Sequence, residues 1–149
     1  MTNDLNPALT PEQRQLAQSY HNIIHRFLHR NGLKMDAVED WYGVAAIGLC
    51  KAAKVSSCNI IIPFPLLAYL YIENEVHPIS VDFEVYPPAV CGAASIAYRS
   101  LEQRKRDIIK KIVNEDISFT EIARQTGFTS DEIAITYKQF LEDVKYFLW

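Results

Sequence analysis

Residues 119–138 read FTEIARQTGFTSDEIAITYK and combine three features of a helix-turn-helix. Ala123 is small enough for a tight crossing of two helices, and Gly127 suits a turn that needs positive φ. Ile133 is a branched apolar residue that would seal the second helix against the first. The pattern predicts two helices joined by a tight turn, and a plain helical hairpin that ends in Gly is the alternative.

Two capping boxes mark the helix starts on either side of this turn. Ser118 is followed three residues later by Glu121, and Thr129 is followed in the same way by Glu132. In each box the hydroxyl and the carboxylate satisfy backbone N–H groups at the start of a helix. The sequence therefore predicts that one helix begins after Ser118 and the next after Thr129.

In a helix-turn-helix, the second helix faces the major groove and its first residues meet the base edges. Six positions are predicted to be exposed there: Thr129, Ser130, Asp131, Ala134, Ile135 and Lys138. They include no Arg, the commonest reader of guanine, and Asp131 would repel phosphate. The pattern favours DNA binding by shape, with weak chemistry for base recognition.

A basic run precedes the motif and is the densest positive patch in the chain. It consists of Arg104, Lys105 and Arg106 with Lys110 and Lys111, and Arg124 adds a further charge within the motif. These side chains could contact DNA phosphates or simply form a solvated helix face, and the sequence leaves both interpretations open.

Helical periodicity predicts an all-α chain. The predicted helices cover residues 10–31, 36–53, 65–77 and 96–113, followed by the two helices of the motif. Gly48 lies within the second of these helices, where it would let a neighbouring helix approach closely. Prolines and the absence of a clear period predict an irregular linker over residues 78–97. Two small helical domains are therefore expected, at residues 1–77 and 98–149.

Composition narrows the classes of function. The net charge is −3, and residues 98–149 carry nine basic and nine acidic side chains, so DNA affinity of the chain alone is expected to be low. The three cysteines are widely spaced and indicate neither a zinc site nor disulfides, which favours a reducing cytoplasm. No signal peptide or membrane span is expected.

Signs of catalysis or of a cofactor are also lacking. No nucleophile–base pair, phosphate-binding Gly loop or paired-carboxylate site stands out, so we expect a protein that is not an enzyme and needs no cofactor. His21, His25 and His29 are spaced four apart on one helical ridge, which favours a solvated face over a metal site.

Three segments resemble the sigma-70 family of bacterial RNA polymerase initiation factors. Residues 39–52, EDWYGVAAIGLCKA, and residues 64–76, FPLLAYLYIENEV, resemble consecutive segments of sigma region 2. Residues 101–148, with EIARQTGFTSDEI at their centre, resemble sigma region 4. The resemblance covers residues 9–77 and 98–148, and its specificity comes from two unrelated motifs in the right order.

The resemblance implies that region 2 binds the coiled coil of the largest polymerase subunit, and that region 4 touches the polymerase flap. The residues expected to present themselves to core RNA polymerase are Glu39, Asp40, Tyr42, Gly43 and Lys51. An anti-sigma protein is a further partner of the kind that the family has.

The resemblance also implies that the chain recognises promoter DNA and melts part of it. Melted bases need aromatic faces to stack on, and Tyr69 and Tyr71 are available for this role. Both tyrosines could equally belong to the core.

Two other classes of function stay open beside a sigma-type initiation factor. One is a sigma-derived regulator that docks on polymerase but reads DNA poorly. The other is a helix-turn-helix repressor, which would dimerise in order to read a palindrome.

Overall fold

The computed structural model describes residues 9–33, 41–56, 62–77 and 87–148, and these residues are mostly helical with no strand among them. The helices are α1 (Pro11–Ser19), α2 (Asn22–Arg30), α3 (Trp41–Val55), α4 (Phe64–Val76), α5 (Pro87–Ser100), α6 (Gln103–Asn114), α7 (Phe119–Thr126) and α8 (Ser130–Leu148). The prediction of an all-α chain is confirmed.

The first helix begins as predicted but is shorter. Thr10 accepts a hydrogen bond from the Gln13 amide at 3.1 Å, and Gln13 Oε1 accepts one from the Thr10 amide at 2.9 Å. The predicted single helix over residues 10–31 is wrong, because the chain turns at Tyr20 and His21 between α1 and α2. The turn places the Tyr20 ring 5.1 Å from the Phe64 ring, against the start of α4.

Helices α3 and α4 pack extensively against each other in the described part of the chain, and their backbones lie close together at Gly48. A Cβ atom at Gly48 would lie 2.7 Å from Ile72 Cα and 2.8 Å from the Tyr71 carbonyl oxygen. Only a residue without a Cβ atom allows two helix backbones this close together. The predicted close approach at Gly48 is therefore confirmed.

The predicted irregular linker over residues 78–97 is wrong for residues 87–97, which belong to α5. Pro87 and Pro88 stand in the first turn of this helix, where proline is tolerated because the N–H it lacks has no partner there. Behind them, Ala93, Ala94 and Ala97 are buried, and α5 packs against α8. Residues 78–86 lie outside the described part of the chain.

The predicted helix over residues 96–113 is also divided. Helix α5 ends at Ser100 and α6 begins at Gln103, with Leu101 and Glu102 between them. A single cluster of buried apolar residues draws members from all of the described helices. The predicted division into domains at residues 1–77 and 98–149 stays a prediction.

Candidate nucleic-acid interface

The turn between α7 and α8 has the geometry that the sequence pattern requires. Gly127 has φ of 79°, in the left-handed region, and its amide donates to the Ala123 carbonyl at 2.9 Å. Ala123, Ile122 and Ile133 are buried and belong to the hydrophobic core. The positive φ at Gly127 and the burial of Ala123 and Ile133 are as the pattern predicts, while the identity of the pair as a DNA-binding helix-turn-helix stays a prediction.

One of the two predicted capping boxes is complete. Thr129 Oγ1 accepts from the Glu132 amide at 3.1 Å, and Glu132 Oε1 accepts from the Thr129 amide at 2.8 Å. Ser118 Oγ accepts from the Glu121 amide at 3.1 Å, but the Glu121 carboxylate binds Arg124 instead of completing the box. The start of α7 therefore has one cap bond where two were predicted.

The start of α8 presents most of the predicted base-facing residues to solvent. The exposed residues are Thr129, Asp131, Ala134, Ile135 and Lys138. Ser130 is half-buried and donates to Thr120 Oγ1 at 3.4 Å, so it is the least accessible of the six. The first turn holds Asp131 and Glu132, which suit the positive end of the helix dipole but oppose a phosphate.

Two of the predicted basic residues are accessible to an anionic ligand. Arg104 is exposed, and its guanidinium lies 4.5 Å from the centre of the Phe128 ring, which orients it beside the turn. Lys105 is exposed next to it. Together with Lys110, which is exposed further along α6, these two side chains form the open part of the positive patch.

The other two basic residues are engaged within the protein. Arg124 is hydrogen-bonded to the Glu121 carboxylate, which raises the pKa of Arg124 and lowers that of Glu121. Arg106 donates to the carbonyl oxygens of Arg99 at 3.3 Å and Leu101 at 3.0 Å, and so closes the end of α5. Arg106 is better explained by this structural role than by a phosphate contact.

Tyr69 and Tyr71 are buried, so neither is placed to stack on a melted base in this structure. The Tyr69 ring packs edge-on against Phe27 at 5.2 Å and Tyr137 at 5.7 Å. Its hydroxyl accepts a hydrogen bond from Arg30 at 3.3 Å, and burial raises the pKa of the phenol. Of the two interpretations that the sequence left open, burial supports the core one for both tyrosines, and a role in stacking stays an untested prediction.

The predicted polymerase-facing residues are only partly accessible. Tyr42 and Gly43 are half-buried, and Lys51 forms an ion pair with Glu75 at 2.7 Å. Glu39 and Asp40 lie outside the described residues. Ile47, half-exposed in the middle of α3, was not predicted, because a single exposed apolar residue is common on protein surfaces and carries little signal by itself.

Two arginines on α2 bind the carbonyls at the end of α6, an arrangement that was not predicted from the sequence. Arg26 donates to the Val113 carbonyl at 2.6 Å, and Arg30 donates to the carbonyls of Ile112, Glu115 at 2.6 Å and Ile117 at 2.9 Å. Carbonyls at a helix end have no partner within the helix, and a cation there also favours the dipole. We call this group the arginine clasp, and it fixes the approach to α7.

A second contact joins α8 to α4. Tyr137 donates its hydroxyl hydrogen to Glu73 Oε1 at 2.6 Å, and Glu73 Oε2 lies 2.6 Å from His77 Nδ1. Burial, followed by the nearby Glu73 charge, raises the pKa of Tyr137 well above its usual value. The helix that carries the candidate DNA-reading residues is thereby tied to the first half of the chain.

His21, His25 and His29 are exposed, as expected for a solvated ridge. Within the described residues, no group of three or more His, Cys, Asp or Glu side chains is placed to hold a metal ion. None of the helices in the same residues is long and apolar enough to cross a membrane. No family model, curated protein or solved structure matches the chain.

Proposed function

We propose that the chain is a sigma-type transcription initiation factor that binds core RNA polymerase and directs it to promoter DNA. The observation that supports this most is the start of α8, which follows a left-handed turn at Gly127 and leaves Ile135 and Lys138 exposed. A helix presented in this way can enter a major groove. The proposal places duplex reading on α8 and polymerase binding on α3.

Affinity for DNA would come largely from the polymerase. The open positive charges on α6 include Arg104, Lys105 and Lys110, and Asp131 and Glu132 oppose them at the start of α8. Each phosphate contact contributes about −0.9 to the slope of log affinity against log salt. With few phosphate contacts the salt slope is shallow. The affinity is nevertheless low at the outset, so a small increase in salt reduces binding below the detection limit.

The buried tyrosines limit the part that the chain would play in promoter melting. For a base to stack on Tyr69 or Tyr71, the ring concerned would have to leave the core. We therefore propose recognition of duplex DNA by α8, without base stacking by these two residues. A cytoplasmic location follows from the proposed partner.

A regulator that binds polymerase without reading DNA is the second candidate. It is favoured by the carboxylates of Asp131 and Glu132 at the place where a DNA reader approaches the backbone. In this case α3 and the exposed Ile47 would serve a protein partner, while α8 would not contact the groove.

Fluorescence anisotropy of a duplex promoter probe over a salt series, with and without core polymerase, tests the proposal. We expect weak binding by the chain alone and tighter binding with polymerase. The double variant Arg104→Ala/Lys105→Ala should weaken binding to every sequence alike, whereas Lys138→Ala should change sequence preference. Arg14→Ala, at an exposed position on α1 and so outside both α3 and α8, is the matched control.

The outcomes separate the candidates. Failure to bind DNA even with polymerase present would reject DNA reading and favour the regulator. Tight, sequence-specific binding by the chain alone would favour a repressor.

A further inference from the structure

The outer face of α8 carries two large apolar side chains that the fold leaves uncovered. Ile135 is 65% exposed and Tyr146 is 73% exposed. They are eleven residues apart, which is about three helical turns, so they lie on the same side of the helix. The Phe147 ring lies 5.2 Å from the Tyr146 ring and extends the apolar surface.

Opposite charges stand between the two apolar residues. Lys138 and Glu142 are both exposed, and neither forms an ion pair within the described part of the chain. The outer face of α8 therefore reads, in order, apolar, positive, negative, apolar.

This order is complementary to itself when it is reversed. The pair Ile135 and Tyr146 and the pair Lys138 and Glu142 share a centre near residue 140. If two copies of α8 lie antiparallel about that centre, each Lys138 faces the Glu142 of the other copy. Each Ile135 then faces the Tyr146 of the other copy, and a two-fold axis makes every contact twice.

We infer that α8 is a homodimerisation surface on which two copies of this chain pair antiparallel, through Lys138 with Glu142 and Ile135 with Tyr146. A single helix face buries less than the roughly 800 Å² per partner of a standard interface. The dimer is accordingly weak, with a dissociation constant on the order of micromolar.

The consequence of the dimer for regulation rests on the proposed function. Ile135 and Lys138 are also candidate DNA-reading residues, so the dimer covers the surface that would enter the groove. The dimer and the DNA complex exclude one another, so a higher protein concentration favours the dimer and reduces DNA binding by α8. A repressor differs, because its dimer must leave both recognition helices accessible to successive turns of DNA.

Sedimentation equilibrium of the full chain over a concentration series, in low salt and without DNA, tests the inference. Lys138→Glu and Glu142→Lys each place like charges opposite one another twice, so each variant alone should self-associate roughly tenfold more weakly than the parent. An equal mixture of the two variants should regain dimers, because every opposed pair is again of opposite charge. Lys54→Glu, remote on α3, should dimerise like the parent.

Recovery in the mixture distinguishes pairing between chains from an ion pair within one helix, since neither variant contains an intact Lys138–Glu142 pair. A parent chain that stays monomeric overturns the inference. So does a mixture that stays as monomeric as its components, or variants that dimerise like the parent. The sample contains neither polymerase nor DNA. A negative result therefore rejects the dimer and does not bear on the proposed function. Likewise, rejection of the proposed function would not bear on the dimer.

Discussion

Gly48→Ala should destabilise the protein, although alanine is the better helix former. The new Cβ would lie within 3 Å of three atoms of the α4 backbone, at 2.7 Å from Ile72 Cα, 2.8 Å from the Tyr71 oxygen and 2.9 Å from the Ile72 nitrogen. Backbone atoms cannot rotate away as a side-chain tip can, so α3 and α4 must separate. The extra atom therefore disturbs the extensive packing between these two helices.

The size of the effect follows from two opposed terms. Replacing glycine with alanine inside a helix gains about 1 kcal/mol. Overpacking a well-filled contact costs about 1–3 kcal/mol, and a clash with backbone belongs at the upper end. The expected net loss is about 2 kcal/mol, which for a chain of this length lowers Tm by about 4–8 °C.

Gly92→Ala is the matched control, because Gly92 also lies within a helix but has nothing within 4 Å of its added Cβ. This variant should gain about 0.5–1 kcal/mol. Thermal and urea unfolding, followed by circular dichroism at helical wavelengths, measure both variants. Equal stabilisation of the two proteins would refute the close approach of α3 and α4.

Three further substitutions test other parts of the structure. Gly127→Val should cost about 1–3 kcal/mol in the same unfolding assay, because a β-branched residue is strained at a φ of 79°, and an unchanged Tm would contradict the turn. Arg30→Met should lower the free energy of unfolding by about 3 kcal/mol, because the carbonyls of Ile112, Glu115 and Ile117 lose their charged donor. Arg30→Lys should have an intermediate stability. A stability of Arg30→Met equal to that of the parent would rule out the arginine clasp. The pKa of Tyr137 is raised in the folded state, so the contribution of its protonated phenol to stability is complete below about pH 10 and is lost as pH rises through the folded pKa. Tyr137→Phe should therefore flatten the decline of the free energy of unfolding at alkaline pH. An identical pH profile in the variant and the parent would argue against the contact with Glu73.

The sequence was most informative where local chemistry alone determines the structure. The caps at Thr10 and Thr129, the left-handed turn at Gly127 and the close approach at Gly48 each depend on one residue type at one position. Such features can be predicted because propensity and tertiary packing favour the same conformation.

The errors lie where tertiary contacts outweigh local signals. Pro87 and Pro88 indicated a linker, but proline also suits a first helical turn, and the small residues behind it pack on α8. The apolar pattern alone could not show whether Tyr69 faces the core or a ligand. Burial against Phe27 and Tyr137 decides this, and those contacts join residues far apart in the chain.

The arginine clasp could not be predicted for the same reason. Arg26 and Arg30 are four residues apart on one helix, a spacing that ordinarily indicates a solvated face. The partners that make up the clasp are backbone carbonyls more than eighty residues away, and a carbonyl gives no signal in the sequence.

Binding of the labelled full-length chain to core RNA polymerase, measured by fluorescence anisotropy at low and moderate salt, tests the proposed function most directly. We expect saturable binding that weakens with Ile47→Asp on the exposed face of α3 and is unchanged with Lys105→Ala on α6, with both variants shown to be folded by circular dichroism. Absence of saturable binding by the folded parent chain at low salt would contradict both a sigma-type factor and a polymerase-docking regulator.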